Sequence, residues 1–255
     1  IKPISGSSIR VIFDDDEQSH ELLCLAKTNI GHKNLMRIIS SAHNNYSYQS
    51  PIINFNDLIK LKEDIIVISG GKDSHVFELL KRNKIKDAEK KIESFLKVFD
   101  DDFILEVQKT NRPDEFEYFS NILPIASTKG IPLIATNDVL FAKPDDFDTH
   151  ETKVCINTGK TLNDPNREKI FSQEQFFKSS DDMAKLFKGF DSLLENTNEI
   201  SKKCNVSIHT KQYFLPEYPV PDEHNFDSFL VDLSKKRLQE FINDFDVEKN
   251  KIYTD

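Results

Sequence analysis

Apolar runs and helical patterns alternate along the first half of the chain. Five apolar runs bounded by polar residues or glycine predict β-strands at 8–13, 22–26, 64–69, 103–107 and 131–135. Apolar residues at helical spacing predict helices at 33–42, 74–83, 85–100 and 114–129. We expect Pro124 to kink or interrupt the last of these helices and Gly130 to end it. Strands and helices in alternation with short links predict an α/β fold, with parallel strands joined by right-handed crossovers.

From about residue 146 onward, the pattern changes to helices only. One helix is predicted to begin at Ser180, and two more cover 193–204 and 227–241. The segment from Tyr213 to Pro221 has three prolines in its last six residues, which excludes a helix and favours an extended connector. We therefore predict two domains, 1–208 and 209–255.

The composition indicates a folded core beneath an acidic surface. Of the 255 residues, 38% are hydrophobic, and 20 of them are Phe, which suffices for one large α/β domain and the start of another. The formal net charge is −9. Because nucleic-acid binding is mostly neutralisation of phosphate, this charge disfavours a freestanding nucleic-acid-binding module.

The cysteines and the apolar runs indicate the compartment. Cys24, Cys155 and Cys204 lie far apart, each in or beside an apolar run, which favours buried reduced thiols over disulfides or a zinc cluster. No apolar run approaches the roughly 18 residues of a membrane span, and no signal peptide opens the sequence. We expect a cytoplasmic location and no membrane partner.

Several polar groups are candidates for chemistry. Asp138 follows the strand at 131–135, and in α/β barrels the catalytic groups lie at the carboxyl ends of strands. The commoner role for such an Asp is structural, capping a loop or a helix. His150 and Glu151, which we place on an acidic loop, are expected to have a structural or interaction role. The acidic triplets 14–16 and 100–102 are predicted to be solvated turns, because they lack the alternating ligands and the glycine of a calcium loop. The segment 70–74 lacks the spacing of a Walker motif. The interval 81–91, with six Lys or Arg residues, is predicted to be the solvent face of helices rather than a nucleic-acid-binding stripe.

Short sequence words occur in a recognisable order along nearly the whole chain. They are Lys2-Pro3-Ile4 with Gly6, Leu25-Ala26-Lys27 with Gly31, Ile68-Ser69-Gly70, Asn111-Arg112-Pro113-Asp114-Glu115, Ala135-Thr136-Asn137-Asp138-Val139, Thr158-Gly159-Lys160-Thr161-Leu162, and Tyr213 to Pro221. These words resemble the PHP (polymerase and histidinol phosphatase) domain of the bacterial replicative DNA polymerase III alpha subunit family. The resemblance implies a distorted (β/α)7 barrel over 1–208, followed by a connector and the start of the palm and thumb region over 209–255. Because the sequence opens with Ile1 and the KPI word, we expect a first strand with a His-x-His motif to lie upstream.

The resemblance also assigns positions to a metal site. Some family members hold a metal cluster with phosphoesterase or exonuclease-like activity, whereas others have lost the ligands. The positions of a Glu, a His, a Cys and a second His in intact members fall on Ser8, Glu21, Gly71 and Leu140 in this sequence. Asp138 alone keeps the family's ligand. His20 lies one residue before the position of the family's first His, which Glu21 occupies here. A one-residue shift in a strand turns a side chain to the opposite face, so His20 does not replace that ligand.

The leading hypothesis is therefore a catalytically degenerate PHP domain that supports a polymerase and docks a proofreading exonuclease. On this hypothesis the fragment needs no cofactor and binds no Zn²⁺ tightly, while Mg²⁺ serves the parent enzyme. Its partners are the rest of the polymerase, the exonuclease and other replicase subunits, and DNA is contacted through the parent. The alternative is a metal-dependent phosphoesterase, acting as a 3′–5′ exonuclease or as a pyrophosphatase. Ser8, Glu21, Gly71, Asp138 and Leu140 are expected to surround one remnant pocket.

Overall fold

The computed structural model describes residues 2–14, 16, 18–45, 51–208, 210–211, 213, 215 and 218–243. The chain divides into two compact units, Ile1–Ser207 and Ile208–Asp255. Within the described residues, no helix is both long enough and apolar enough to cross a membrane.

The first unit is a mixed α/β structure built on one six-stranded sheet. The sheet has the order β3-β1-β2-β4-β5-β6. Its strands are β1 (Gly6–Ile12), β2 (Ser19–Ala26), β3 (Ile52–Asn54), β4 (Ile65–Ile68), β5 (Phe103–Gln108) and β6 (Leu133–Thr136). Its helices are α1 (Asn29–Asn45), α2 (Phe55–Lys60), α3 (His75–Lys81), α4 (Ile85–Phe99), α5 (Glu115–Lys129), α6 (Phe147–Thr158), α7 (Ser180–Leu186) and α8 (Asp191–Lys203). In the second unit, α9 covers Phe226–Asn243.

The strand orientations differ from the all-parallel prediction, which was wrong for β2. This strand runs antiparallel to both of its neighbours, β1 and β4. The pairs β1–β3, β4–β5 and β5–β6 are parallel. Only residues 13–18 separate β1 from β2, and a parallel crossover needs about a dozen residues or more. The link therefore closes an antiparallel hairpin.

The two faces of the sheet bury different sets of side chains. In β2, His20, Leu22, Cys24 and Ala26 are buried on one face, because successive residues of a strand alternate between faces. This face, which we call the large-core face, packs on apolar residues of α1, α3, α4 and α5. On the opposite face, Leu23 and Leu25 pack with a smaller cluster that includes Ile200 of α8. We call this second side the cleft face.

Several predicted elements change in the structure. The five predicted strands are all present with shifted ends, whereas β3 and α2 were not predicted. Helix α5 continues through Pro124 without interruption and ends at Gly130, whose φ is +66°. His150 and Glu151 lie in α6 and not on an acidic loop, and Glu151 is buried against Arg167. The described residues of the expected connector, Tyr213 to Pro221, lie in no helix or strand, and Phe214, Pro216 and Glu217 fall outside the described residues.

The cysteines occupy the interior, as the sequence predicts. Cys24, Cys155 and Cys204 are buried and free. Burial raises the pKa of the Cys24 thiol to about 12, because a low-dielectric environment disfavours the thiolate. At neutral pH this side chain is therefore a protonated, apolar core residue.

Candidate functional site

A polar cleft of about 330 Å³ lies on the cleft face, where the carboxyl ends of three strands meet. Strands β4, β5 and β6 are parallel, so the residues that follow them converge at one edge of the sheet. Strands β1 and β2 add side chains from their cleft-facing positions. The lining residues are Ser8, Glu21, Leu23, Gly70, Gly71, Lys72, Asp73, Glu106, Gln108, Arg112, Thr136, Asn137, Asp138 and Val139.

The cleft brings together four of the five residues that the sequence assigned to one pocket. Ser8, Glu21, Gly71 and Asp138 all line it. Leu140 does not belong to the lining, and its neighbour Val139 does. The Leu140 N–H donates to the Gln175 carbonyl at 2.9 Å, and the Leu140 side chain is partly exposed. That the other four residues are the remnant of a metal site stays a prediction.

A buried arginine connects the walls of this cleft. The Arg112 side chain is only 7% exposed. Its Nη1 donates to Asp138 Oδ2 at 2.8 Å, its Nη2 to Gln108 Oε1 at 2.6 Å, and its Nε to Glu115 Oε1 at 3.0 Å. The guanidinium thus provides a positive charge beside Asp138, with a planar set of donors that suits carboxylates.

Asp138 has protein donors on more than one side. Besides Arg112, its Oδ2 accepts a hydrogen bond from Gln175 Nε2 at 2.9 Å, and Gln175 is fully buried. The Asp138 side chain is 37% exposed at the cleft. Its partners lie in the loop after β5 and in the segment between α6 and α7, so Asp138, which follows β6, joins these segments; it does not cap a helix.

The backbone conformation at Gly71 and the neighbouring Gln108 side chain disfavour a ligating side chain at this position. Gly71 has a φ of +53°, in the left-handed region that favours glycine. A Cβ at this position would lie 2.9 Å from Gln108 Nε2. The Gln108 side chain, held by Arg112, therefore occupies the space into which a cysteine at position 71 would point.

Two carboxyl groups of the cleft have raised pKa values. Burial raises the pKa of Glu106, although hydrogen bonds from Thr136 and Gln108 partly oppose this shift. The Thr136 hydroxyl and Gln108 Nε2 both donate to Glu106 Oε1. Burial also raises the pKa of Glu21, against a hydrogen bond from Ser8, and the nearby Asp73 raises it further. Both shifts indicate that the cleft disfavours additional negative charge.

The sequence analysis missed Glu106, Gln108 and Arg112 as members of this site. A usable signal was present for Glu106, because an acidic residue stands inside the apolar run at 103–107. Arg112 was noted only as part of a matching word. The prediction that His20 lies on the opposite face from Glu21 is confirmed, since His20 is buried on the large-core face.

Metal-ligating side chains come together elsewhere in the described chain. Among the described residues, Asp16, His20 and His75 form a group whose ligand atoms lie within 4.8 Å of one another. The described carboxylates of the cleft form no such group of three or more. A metal cluster needs several ligands that converge on one point. Among the described residues, the ligand groups of the cleft do not converge in this way.

The fold and the cleft define a class of protein. Residues 1–110 match the model of the PHP domain family, and the chain carries a PHP domain at the head of a mixed α/β unit. Its relatives are similar along almost its full length. The chain is 39% identical over 243 residues to the DNA polymerase III subunit alpha of Escherichia coli K12, and 36% identical over 241 residues to that of Haemophilus influenzae. The corresponding subunit of Pseudomonas aeruginosa is 36% identical over 242 residues.

The aligned region is a large share of this chain but a small share of each relative. Each alignment includes 94% of this chain but only 21% of the relative. The chain therefore spans about a fifth of the length of the curated relatives it matches. The chain is thus similar along almost its full length to DNA polymerase III alpha subunits, and its residues 1–110 match the PHP domain.

Proposed function

We propose that this chain is a catalytically degenerate PHP domain region of a replicative polymerase alpha subunit. In this proposal it supports the polymerase mechanically and docks a separate proofreading exonuclease. DNA synthesis, with its Mg²⁺ and its contacts to DNA, belongs to the rest of the parent protein. A cytoplasmic location and other replicase subunits as partners belong to the same proposal.

The observation that supports degeneracy most strongly is the Arg112 guanidinium at 2.8 Å from Asp138. A divalent cation bound to Asp138 would have to compete with this fixed positive charge. At Gly71 the left-handed backbone and Gln108 exclude a ligating side chain, and Ser8 offers a neutral hydroxyl where the resemblance implies a carboxylate. These features support a cleft that holds no metal cluster and performs no hydrolysis.

Hydrolysis assays test this part of the proposal. The 255-residue chain is incubated with 3′-labelled single-stranded DNA, and separately with pyrophosphate, in the presence of Mn²⁺ or Zn²⁺. The matched variant is Asp138→Asn, which removes the retained carboxylate but keeps a hydrogen-bond acceptor for Arg112. We expect the two proteins to show the same background rate. A hydrolysis rate in the unsubstituted 255-residue chain that falls at least tenfold in Asp138→Asn would overturn degeneracy and favour the phosphoesterase alternative.

The proposed docking role rests on the net charge of the chain and on the usual composition of protein interfaces. A chain with a net charge of −9 favours a partner segment rich in Lys or Arg, because complementary fields accelerate association more than they tighten it. Buried apolar or aromatic residues still provide most of the affinity of such interfaces. The partner is therefore expected to offer a basic rim around an apolar centre.

Co-purification tests the docking role in the full-length parent. The alpha subunit is expressed with its exonuclease, either intact or with residues 1–208 of this sequence removed. We expect the exonuclease to be lost from the truncated subunit, while polymerase activity on a primed template serves as the control for folding. Retained exonuclease on an active truncated subunit would exclude docking and leave mechanical support alone.

A further inference from the structure

We propose that Asp16, His20 and His75 form a binding site for one divalent transition-metal ion, with Zn²⁺ as the best match. The site lies on the large-core side of β2, the side opposite the cleft, so it is independent of the proposed function. It departs from the expectation, drawn from sequence alone, that the chain binds no zinc tightly.

Three different elements supply the proposed ligands. Asp16 lies in the hairpin between β1 and β2, and His20 lies in β2 opposite Val11 of β1. His75 is the first residue of α3, whose position is fixed by Ser74: the Ser74 Oγ accepts a hydrogen bond from the Phe77 N–H at 3.1 Å. The side chains of His20 and His75 are only 8% and 11% exposed. A strand and a helix thus hold the two imidazoles, and the hairpin brings the carboxylate to them.

The distances already approach those of a coordination sphere. Asp16 Oδ2 is 2.7 Å from His20 Nε2 and 3.6 Å from His75 Nε2. Metal–ligand bonds of about 2.0–2.1 Å in a tetrahedron place neighbouring ligand atoms roughly 3.3 Å apart. The two observed distances lie on either side of this value. Shifts of less than about 1 Å would bring both distances to Asp16 to this value.

A second layer of contacts orients these ligands. The other Asp16 oxygen, Oδ1, accepts a hydrogen bond from the Gln18 N–H at 2.9 Å, so Oδ2 is left facing the two imidazoles. The Phe13 ring contacts both imidazoles, with centroid distances of 6.2 Å to His20 and 5.3 Å to His75. Such supporting contacts fix ligand orientation in metal sites and reduce water access.

Binding requires one rearrangement. The His20 and His75 rings are stacked, with centroids 4.3 Å apart and an interplanar angle of 12°. An ion must lie near the plane of each imidazole that binds it, and two parallel rings cannot both meet this condition. One ring therefore turns about its Cβ–Cγ bond when the ion binds, and the stacking is lost.

The ligand set selects the kind of ion. Two imidazoles and one carboxylate suit Zn²⁺ and related transition ions, whereas Ca²⁺ and Mg²⁺ prefer oxygen ligands alone. Asp16 and His75 also line a surface pocket on this side of the sheet, together with Arg82, Lys84, Lys90 and Lys91. The positive charges of these four side chains oppose a bound cation. Removing one of them, as in Lys91→Gln, should therefore strengthen metal binding, while loss of a ligand should weaken it.

Cobalt titration of the 255-residue chain tests the site, because tetrahedral Co²⁺ has visible absorption bands that octahedral aqueous Co²⁺ nearly lacks. The variants are His20→Gln, His75→Gln and Asp16→Asn, with Asp138→Asn in the cleft as the matched control. We expect one Co²⁺ per chain in the parent and in Asp138→Asn, displaced by Zn²⁺. Each ligand variant should lose more than about 100-fold in affinity, since loss of a supporting partner alone costs roughly 10- to 100-fold.

A thermal measurement keeps the test decisive if a variant folds poorly. Zn²⁺ should raise the unfolding temperature of the parent chain and of Asp138→Asn, but not that of Asp16→Asn, whose substitution lies in a turn. Absence of the cobalt bands and of the Zn²⁺ effect in the parent would overturn the proposal. Bands that survive in His20→Gln and disappear in Asp138→Asn would also overturn it, and would assign metal binding to the cleft.

Discussion

Substitution of Arg112 by Met tests whether the guanidinium holds the cleft together. The change removes a positive charge but keeps an unbranched side chain of similar length. It leaves Asp138, Glu115 and Gln108 without the donors at 2.8, 3.0 and 2.6 Å that Arg112 supplies. The chain segments after β5 and β6 should then lose their common anchor.

The expected loss of stability follows from the burial of these partners. Removing one member of a buried ion pair costs about 3–5 kcal/mol. Glu115 keeps two donors at 2.6 Å from Thr110, and the Asp138 carboxylate is 37% exposed and keeps Gln175. We therefore expect the free energy of unfolding to fall by about 2–3 kcal/mol in Arg112→Met. For a unit of this size, this corresponds to a fall of about 5–10 °C in Tm.

Thermal and urea unfolding, followed by circular dichroism, measure this loss. Asp138→Asn alone should cost less than Arg112→Met, because Asn still accepts hydrogen bonds. In the double variant the two effects should not add, since Arg112→Met is costly partly through the carboxylate it leaves unpaired. A fall in Tm of less than about 2 °C in Arg112→Met would refute the reasoning, as would full additivity in the double variant.

Two further predictions concern the same cleft. Glu106→Gln should raise Tm more at pH 8 than at pH 5. The folded-state pKa of Glu106 is raised by burial, so the parent chain loses stability as pH rises from the unfolded pKa to the folded one. The exposed Glu117→Gln is the control, and an effect that does not grow with pH would contradict this account. Gly71→Cys should lower stability by more than Gly130→Cys and should create no metal site. Both glycines have positive φ, but only at Gly71 would a Cβ meet a neighbour, Gln108. Equal losses would show that Gln108 can move aside.

The sequence was sufficient for most of the strands because each is a continuous apolar run with a clear polar end. It failed for β3, whose three residues give too short a run to stand out after Pro51. It also failed for strand direction. Strand orientation depends on whether a link closes a hairpin or crosses over. The acidic turn predicted at 14–16 is too short for a crossover, so it implies that β2 runs antiparallel to β1.

Among the cleft residues, the sequence predicts only those that lie in or directly after a strand. Ser8, Glu21, Gly71 and Asp138 come together because each occupies a fixed position in or directly after a strand. Leu140 lies beyond that range, where its backbone N–H pairs with Gln175. Arg112 enters the cleft from the loop between β5 and α5, and a side chain of that length can reach many places. Its destination therefore required the structure.

The Arg112 contacts explain why a PHP cleft without a metal cluster would keep its charged groups. A bound cluster would cross-link the strand ends that supply its ligands. In this chain, Arg112 contacts Gln108 at the end of β5, Glu115 at the start of α5 and Asp138 after β6. Gln175 extends the same network to the segment before α7 through Asp138. One guanidinium thus joins segments that lie far apart in sequence. Since it needs no ion, this support would persist when the metal supply changes, which suits a domain whose proposed role is mechanical.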